Sequence, residues 1–504
     1  MKKYKIIFLL FPVLMMQYAC NKSLDTKVYS SLTNANAFQT KTDAVAAVNS
    51  VYARLKGPAV GDNFDYWTVR HFALTDLTTD LGHCSYGGDP GQLSLAVWNS
   101  ANGLLAEDWR QIYKLIANAN NAIYNLSAMT GITEAEKTQF LSEIKFLRAL
   151  AYMDLTESWG PVILVTENDI ANPDYQSQPK PSSVDAIDSL LIKDLNAAAA
   201  VLPVNYQGNT IYASNDVGRA TKGAALTLLA KLYLQRHEWQ KVVELTQQVM
   251  DLHAYELFPS YLDLFAEVNV WCKENIFSVL SDANLNGTEL KNHFGPLNHP
   301  VIMDRWQYYA VTWSFWNSYS NADQRKQCFY PVYKGTDDLI YTQAPIMGAV
   351  PPAGVSYMAD IATKKYADEN GSQTYYDGHS VDILRYADVL LSRAEALNEI
   401  SGPTAEAIGL INQVKNRSHA SPLSLAGLNT ASLRDSILQE RGWEFFYEGK
   451  RRADLIRMGK YESIVNAYLT SIGQPASIVM PKNRYFTYPQ NQVNLNPNLS
   501  NADR

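Results

Sequence analysis

The side chains most able to do chemistry in this sequence are aromatic, and they crowd into one stretch of the chain. Residues 300–380 hold ten of the 31 tyrosines and three of the ten tryptophans. Flat rings stack on the C–H faces of sugars, while nearby amide, carboxylate and guanidinium groups hydrogen-bond the hydroxyls. This composition favours a carbohydrate-binding surface. The ligand contacts that we expect on it are Trp306, Tyr309, Arg305 and Asp304.

A second aromatic patch lies nearer the N-terminus. Residues 63–67 read Asn-Phe-Asp-Tyr-Trp, and two more rings follow, one before Gly-Gly-Asp and one before an asparagine. Rings beside amides and carboxylates again suit a sugar, although any single ring can instead pack in the core. The candidate ligand contacts of this patch are Asn63, Tyr66, Trp67, Tyr86 and Trp98.

The sequence carries no complete signature of catalysis or of metal binding. Residues 282–287 match only the first half of an EF-hand calcium loop, and His293 stands where the bidentate glutamate would be. The sequence has no Gly-x-Ser-x-Gly elbow, His-Glu-x-x-His helix, P-loop or Gly-x-Gly-x-x-Gly fingerprint, and no zinc-type cysteine spacing. We therefore expect a non-catalytic protein without cofactor or metal. A surface glycosidase stays open as an alternative, because any two of the fifty carboxylates could form an acid/base pair.

The charge balance argues against a nucleic-acid partner. The formal net charge is −7, so there is no basic excess to neutralise phosphates. Opposite charges instead recur at three- and four-residue spacing over residues 440–457, for example Arg441 with Glu444 and Glu448 with Arg452. Such pairs meet on one helix, so we interpret the series as an ion-pair network that fixes the last helix.

The N-terminus reads as a lipoprotein signal peptide over residues 1–19. Three lysines in the first five residues precede an apolar run over residues 6–16, which is too short to span a bilayer. Ala19 then precedes Cys20, which resembles a bacterial lipobox. We expect Cys20 to be lipidated and to become the first residue of a membrane-anchored mature chain.

Three other cysteines remain, namely Cys84, Cys272 and Cys328. An odd number in an exported chain argues against a disulfide framework and allows at most one bridge. We expect these thiols to behave as small buried apolar side chains.

Helical periodicity dominates both ends of the chain, which predicts a mainly α fold. Two helix-turn-helix units of about 33 residues, at 219–250 and 384–416, have small residues where their helices must approach closely. Such units resemble tetratricopeptide repeats, which stack into a curved scaffold. The other predicted helices span residues 37–55, 104–129, 134–159 and 182–202.

The helical pattern fails between about residues 260 and 380, where glycine, proline, asparagine and aspartate recur. This predicts an irregular, loop-rich ligand face with a few short strands. No low-complexity linker separates it from its flanks, so we expect residues 20–504 to form a single domain. Its helical scaffold covers about 37–259 and 381–460, and the loop-rich aromatic insertion covers about 260–380.

Several short segments of the chain form a recognisable series. They begin at Trp109 (Trp-Arg-Gln-Ile-Tyr), Glu143 (Glu-Ile-Lys-Phe-Leu-Arg), Gly218 (Gly-Arg-Ala-Thr-Lys), Tyr255 (Tyr-Glu-Leu-Phe-Pro), Arg385 (Arg-Tyr-Ala-Asp), Gln439 (Gln-Glu-Arg) and Asn496 (Asn-Pro-Asn-Leu). Together they resemble the SusD/RagB family of nutrient-binding lipoproteins of Bacteroidetes, and they occur in the family's order from Cys20 nearly to the end of the chain.

The resemblance implies a fold and a role. The fold would be a tetratricopeptide-like scaffold with one irregular face. The protein would sit at the outer membrane, lipid-anchored and facing the cell exterior, where it binds oligosaccharide weakly and delivers it to a SusC-like TonB-dependent transporter. The alternative is that the same scaffold binds peptides or glycopeptides, or serves only as a structural lid of such a transporter.

Overall fold

The computed structural model describes most of the chain after residue 37. The described residues are 38–56, 66–67, 69–172, 179–212, 216–285, 287–302, 305–367, 369–371, 374–475, 478–502 and 504. Within these ranges, no helix combines the length and the apolar character that crossing a membrane requires.

Helices make up most of the regular structure. In the first half they are α1 (Lys41–Lys56), α2 (Val69–Thr75), α3 (Gly88–Ser94), α4 (Gly103–Ala128), α5 (Glu134–Trp159), α6 (Val184–Val201), α7 (Lys222–Gln235) and α8 (Trp239–Asp251). In the second half they are α9 (Tyr261–Leu264), α10 (Leu290–Phe294), α11 (Trp313–Ser318), α12 (Tyr386–Ser401), α13 (Ala405–Arg417), α14 (Thr430–Glu444), α15 (Arg451–Arg457), α16 (Tyr461–Ser471) and α17 (Gln490–Leu495).

Local chemistry sets the ends of the long helices. A capping box starts α5: the Thr133 hydroxyl accepts from the Glu136 N–H at 3.2 Å, and the Glu136 carboxylate accepts from the Thr133 N–H at 3.0 Å. Gly160 ends α5 with φ of +66°, a conformation that costs glycine little. The predicted helix at 134–159 is therefore confirmed, and α4 and α6 lie within two residues of their predicted bounds.

The two predicted helix-turn-helix units are present as α7 with α8 and as α12 with α13. The helices of each unit pack on each other, and α8 also packs on α12, so the two units are neighbours in space. Earlier in the chain α4, α5 and α6 pack in the same sequential way. The mainly helical, repeat-like architecture predicted from periodicity is confirmed.

The strands are short, as expected, and pair in small groups. They are β1 (Gly82–His83), β2 (Asn275–Val279), β3 (Ala310–Val311), β4 (Val332–Lys334), β5 (Ile340–Gln343), β6 (Val355–Met358) and β7 (Val381–Arg385). Strand β1 pairs antiparallel with β3, β2 pairs antiparallel with β7, and β5 lies between antiparallel β4 and parallel β6. Among the described residues no sheet closes on itself.

The charged series at 440–457 is a buried ion-pair network, but it is not built on one helix. Helix α14 ends at Glu444, and the chain turns through Tyr447 and Gly449, both at positive φ, before α15 begins. The predicted partners therefore do not pair with each other. Arg441 donates instead to Asp454 at 2.8 Å, and Glu448 accepts from residues outside the series.

The centre of that network is Arg385, which is fully buried at the start of α12. Its guanidinium group donates to Glu448 at 2.7 and 2.8 Å and to Glu444 at 3.0 Å, and it also bonds Glu274. A buried guanidinium group that loses its carboxylates is strongly destabilising, so these contacts tie β2, β7 and α14 together.

Candidate functional site

Antiparallel pairing of two very short strands brings distant aromatic residues together. His83 pairs with Ala310, so the residues that follow β1 lie against the residues that precede β3. Tyr86 and Tyr308 consequently stack with ring centroids 4.9 Å apart and planes tilted by 26°. The Tyr86 hydroxyl donates to the Trp306 carbonyl at 3.0 Å, which holds the ring in place.

Helix α10 supports the segment that carries Trp306. The N–H of Trp306 donates to the Asn292 carbonyl at 2.8 Å, and the N–H of Tyr309 donates to the His293 carbonyl at 2.9 Å. The His293 ring packs edge-on against Trp306 at 4.9 Å and against Tyr308 at 5.8 Å. The backbone bonds and the imidazole together fix the direction in which both rings point.

A further tyrosine comes from the loop before β7. Tyr375 packs edge-on against Trp306 with centroids 6.3 Å apart. Asn292 positions this loop, because its side-chain amide donates to the Tyr375 carbonyl at 3.0 Å. Arg305 donates to the Asn292 side-chain oxygen and to the Thr374 carbonyl, so a buried guanidinium group and amide anchor the loop.

We call Tyr86, Trp306, Tyr308 and Tyr375 the aromatic platform. Tyr86 is 43% exposed and Tyr375 is 53% exposed, while Trp306 and Tyr308 are half-buried. Large aromatic side chains that share an exposed patch indicate a binding surface more often than a packing residue. Stacked and perpendicular rings offer faces in more than one direction, so the platform can hold the apolar faces of successive rings of a ligand.

The platform itself consists of uncharged rings, with the carboxylate of Glu289 beside Tyr375 and that of Asp89 near Tyr308. Burial lowers the pKa of His293 to about 4, so the imidazole beneath the rings is neutral. Burial raises the pKa of the Tyr308 hydroxyl. Burial and then the nearby Glu289 carboxylate raise the pKa of Tyr375. A neutral ring surface with phenolic hydroxyls suits a neutral polar ligand better than an ionic one.

Two of the residues expected to touch ligand, Trp306 and Tyr86, lie on the platform. Two others lie beneath it and do not present a surface. Tyr309 is buried against Phe294, with ring centroids 5.9 Å apart, and Arg305 is buried in the anchor described above. Tyr309 and Arg305 are covered by the protein in this structure, so they support the platform from beneath and do not face its surface.

Apart from Tyr86, the described rings of the N-terminal patch do not form a surface. The Tyr66 hydroxyl donates to the buried Asp154 carboxylate, and Trp67 stacks on His71 with centroids 3.9 Å apart. Trp98 packs edge-on against Phe486 at 5.3 Å. All three rings, Tyr66, Trp67 and Trp98, are buried in the core, so the surface expected from them is absent among the described residues. Asn63, Asp304 and the lipidation site Cys20 lie outside the described residues.

Sequence reasoning missed Tyr308 and Tyr375. Burial alternates residue by residue from Arg305 to Tyr309, with Trp306 and Tyr308 outward. In such a segment, side chains two positions apart share a face. Trp306 and Tyr309 are three positions apart, so the prediction paired rings that lie on opposite faces. No comparable local signal marks Tyr375, because its place depends on the anchor made by Asn292.

One cluster of potential metal ligands lies close to the platform's support. Oxygen and nitrogen atoms of Glu267, Asp377 and His379 lie within 4.8 Å of one another. The Lys291 ammonium group is 3.8 Å from Glu267, and the His379 ring nitrogen is 3.0 Å from Asp377. Burial opposes ionisation of Asp377, but the His379 hydrogen bond keeps its pKa below the ordinary value. A lysine already supplies positive charge here, so the cluster forms a buried ion-pair group.

The three cysteines that the sequence leaves unassigned are unbridged. Cys84 and Cys328 are buried and Cys272 is half-buried. Burial raises the pKa of the Cys84 and Cys328 thiols to about 11 and about 12. Cys84 and Cys328 therefore act as buried apolar side chains, as expected.

Two family models match the chain. A model described as the SusD family matches residues 353–503, and a model described as starch-binding associating with outer membrane matches residues 22–234. Together they cover more than two thirds of the chain, including β1 with Tyr86 in one match and Tyr375 in the other.

Curated relatives match along nearly the whole chain. A SusD-like protein of Formosa agariphila is 23% identical over 544 residues, covering 99% of this chain and 97% of the relative. The starch-binding protein SusD of Bacteroides thetaiotaomicron is 22% identical over 509 residues, covering 88% of this chain and 87% of the relative.

Solved structures share the fold. A SusD-like carbohydrate binding protein from Bacteroides fragilis superposes with a TM-score of 0.78 at 22% identity, covering 92% of this chain and 99% of that chain. Surface glycan-binding protein A from Bacteroides thetaiotaomicron, in complex with laminarihexaose, superposes with a TM-score of 0.72 at 21% identity, covering 90% of this chain and 98% of that chain.

Proposed function

The chain belongs to the SusD family, and on that premise we propose that it is a non-catalytic, cell-surface lipoprotein that binds oligosaccharides. The relatives described as starch-binding and glycan-binding support a carbohydrate ligand. The observation that carries the proposal is the aromatic platform, a group of four rings of which two are exposed and two are half-buried. Its rings would stack on sugar faces, and its phenolic hydroxyls would bond sugar hydroxyls.

The platform suits weak, reversible binding. Its rings are positioned by backbone hydrogen bonds and by His293, so ligand binding orders few side chains. Ring stacking on an open surface would hold a glycan with a Kd in about the millimolar to micromolar range. A ligand held in this way can be released to a second protein.

We further propose an outer-membrane location and a transporter partner. Lipidation at Cys20 would anchor the chain to the membrane, facing the exterior. The bound oligosaccharide would pass to a SusC-like TonB-dependent transporter. The family description of association with the outer membrane supports the location. Recovery of a β-barrel transporter with the tagged, lipidated chain from native membranes tests the partner.

Native gels cast with single polysaccharides test the ligand class. The mature chain carrying Cys20→Ser is run in starch, laminarin, xylan, pectin and mannan, beside Tyr86→Ala/Tyr375→Ala. We expect the gel with one of these polysaccharides to retard the wild-type chain, and the double variant to migrate freely in that same gel. Tyr124→Ala is the matched control, because Tyr124 is 42% exposed but lies on helix α4.

The same gels can contradict the proposal. Equal retardation of the double variant and the wild type would remove the platform as the binding site. Free migration in every gel, combined with retention of a peptide mixture on the immobilised protein, would favour the peptide-binding alternative.

A further inference from the structure

A second concave surface lies on the helical part of the molecule. It is bounded by the chain that follows α6, by residues 216–219 before α7, by the chain that follows α8 and by the residues before β2. Its volume is about 570 Å³, which falls within the ~300–1,000 Å³ of small-molecule sites. We call it the Trp271 cleft. None of its lining residues belongs to the aromatic platform.

Aromatic side chains form walls of the cleft. Among the residues that the structure describes, no ring stacks on Trp271 and no acceptor lies within hydrogen-bond reach of its indole N–H, although the side chain is half-buried. Tyr255 is held rigidly, because its hydroxyl lies 3.0 Å from the Thr221 hydroxyl. Gly223 permits this position, since a Cβ there would approach the Tyr255 hydroxyl to 2.3 Å.

The charges around the cleft are already paired. Arg219 donates to Asp216 at 2.7 Å and lies 3.3 Å from the buried Glu143 carboxylate. Lys273 pairs with Glu256 at 3.1 Å. An ionic ligand would therefore have to compete with existing ion pairs, whereas a neutral ligand would leave them intact.

Neutral polar groups stand on the rim. The side chains of Asn205 and Gln207 line the cleft and are exposed. Amides supply both donors and acceptors, which hydroxyl-rich ligands need. A ligand that fits must combine flat apolar faces for Trp271 and Tyr255 with neutral hydrogen-bonding groups at its edges.

We propose that the Trp271 cleft is a second binding site, for a short neutral oligosaccharide, separate from the aromatic platform. Trp271 stacks on a sugar ring, its indole N–H donates to a hydroxyl, and Asn205 and Gln207 bond the sugar edge. The cleft binds whether or not the platform is occupied, so this site goes beyond the function proposed above.

Fluorine NMR of the mature chain carrying Cys20→Ser tests this site directly. The tryptophans are labelled as 5-fluorotryptophan, and Trp271→Phe and Trp306→Phe identify the two resonances of interest. Laminarihexaose, maltohexaose, xylohexaose and mannohexaose are titrated in turn to about 10 mM, a weak limit for a carbohydrate site. We expect at least one sugar to shift the Trp271 resonance in a saturable manner, and to do so equally in the Trp306→Ala chain.

Two results overturn the proposal. One is a Trp271 resonance that no sugar moves; the other is a shift that disappears in Trp306→Ala, because it would then be transmitted from the platform. The response of Trp306 itself reports separately on the function proposed above. Trp239 is the matched control resonance, since it is half-buried against His237 at 4.8 Å outside the cleft and should not respond.

Cys272 provides a second readout that needs no substitution at the cleft. Its half-buried thiol lines the cleft, whereas Cys84 and Cys328 are buried. The sugar that shifts Trp271 should slow iodoacetamide labelling of Cys272, measured by peptide mass, at least severalfold. Unchanged labelling at saturation would contradict occupation of the cleft.

Discussion

Replacing Trp306 by alanine removes the central ring of the aromatic platform. Trp306 contacts His293 at 4.9 Å and Tyr375 at 6.3 Å, so it links the rings on either side. Its main-chain carbonyl, which accepts from the Tyr86 hydroxyl, remains in the variant. The substitution therefore deletes ligand-facing ring area while it leaves the backbone support of the platform in place.

The size of the effect follows from the area of the ring. A tryptophan side chain buries up to about 250 Å², and at most about a third of Trp306 is exposed, which leaves up to roughly 80 Å² for a sugar. At about 25 cal/mol per Å² this area contributes up to about 2 kcal/mol to binding. Loss of that contribution raises the Kd by up to roughly 30-fold. Trp306→Phe keeps a smaller ring and should raise the Kd by only about 5-fold.

Isothermal titration with the oligosaccharide identified on the gels measures both variants. Tyr124→Ala, which removes an exposed ring far along α4, should leave the Kd unchanged. The thermal unfolding temperature of each variant shows whether it is folded. A Trp306→Ala chain that is folded and binds within twofold of wild type would refute the platform as the binding surface.

Three further predictions concern stability and anchoring. Arg385→Met should lower the free energy of unfolding by about 3–5 kcal/mol in urea titrations, because it leaves buried carboxylates without their partner. As a control, Lys334→Met breaks an exposed ion pair with Asp338 and should lower the free energy of unfolding by under about 1 kcal/mol. Burial and then the nearby Lys450 lower the pKa of His71 to about 3 in the folded chain. Below pH 6.5, the ordinary histidine pKa, His71 therefore binds a proton in the unfolded chain but not in the folded chain. The contribution of His71 to stability should thus be complete above about pH 6.5 and about 3 kcal/mol smaller at pH ~4.5. The difference in unfolding free energy between wild type and His71→Gln, measured in urea titrations, should therefore change by this amount across that range; a difference that does not vary with pH would contradict the assignment. Cys20→Ser should move the protein from the detergent phase to the aqueous phase in detergent partitioning, and an unchanged distribution would exclude Cys20 as the anchor.

Local signals made much of the helical scaffold predictable. The Thr133 and Glu136 capping box, the apolar period of α5 and the stop at Gly160 all lie within one short stretch of sequence. The break between α14 and α15 has a weaker signal, Gly449, because residues 440–457 keep a helical charge period on both sides of it. Partners from other elements, such as Arg385, satisfy Glu448 there and override the local pairing rule.

The candidate site was predictable by region but not by residue. Tyr86 and Tyr308 are neighbours because β1 and β3 pair, and strands of two residues carry too little pattern to show their pairing in advance. The rings of Tyr66 and Trp67 have the same composition signal as the platform, yet Asp154 and His71 draw them into the core. The residue type determines which contacts a ring can make. The residues that pack against the ring in the folded chain determine whether it is exposed to solvent.

The buried ion pairs explain how a loop-rich face can hold its shape on a helical scaffold. Arg325 lies within the loop-rich region and donates to Glu440 at 2.7 Å and to Glu444 at 3.0 Å on α14. Lys365, also from that region, donates to Glu448 at 2.6 Å. Substituting one partner of such a pair would leave the other charge buried without it, although Arg325 would keep Asp323 in the loop-rich region itself. The loops therefore pack as one body with the helices in the described part of the chain, and these ion pairs hold the loop-rich region against α14.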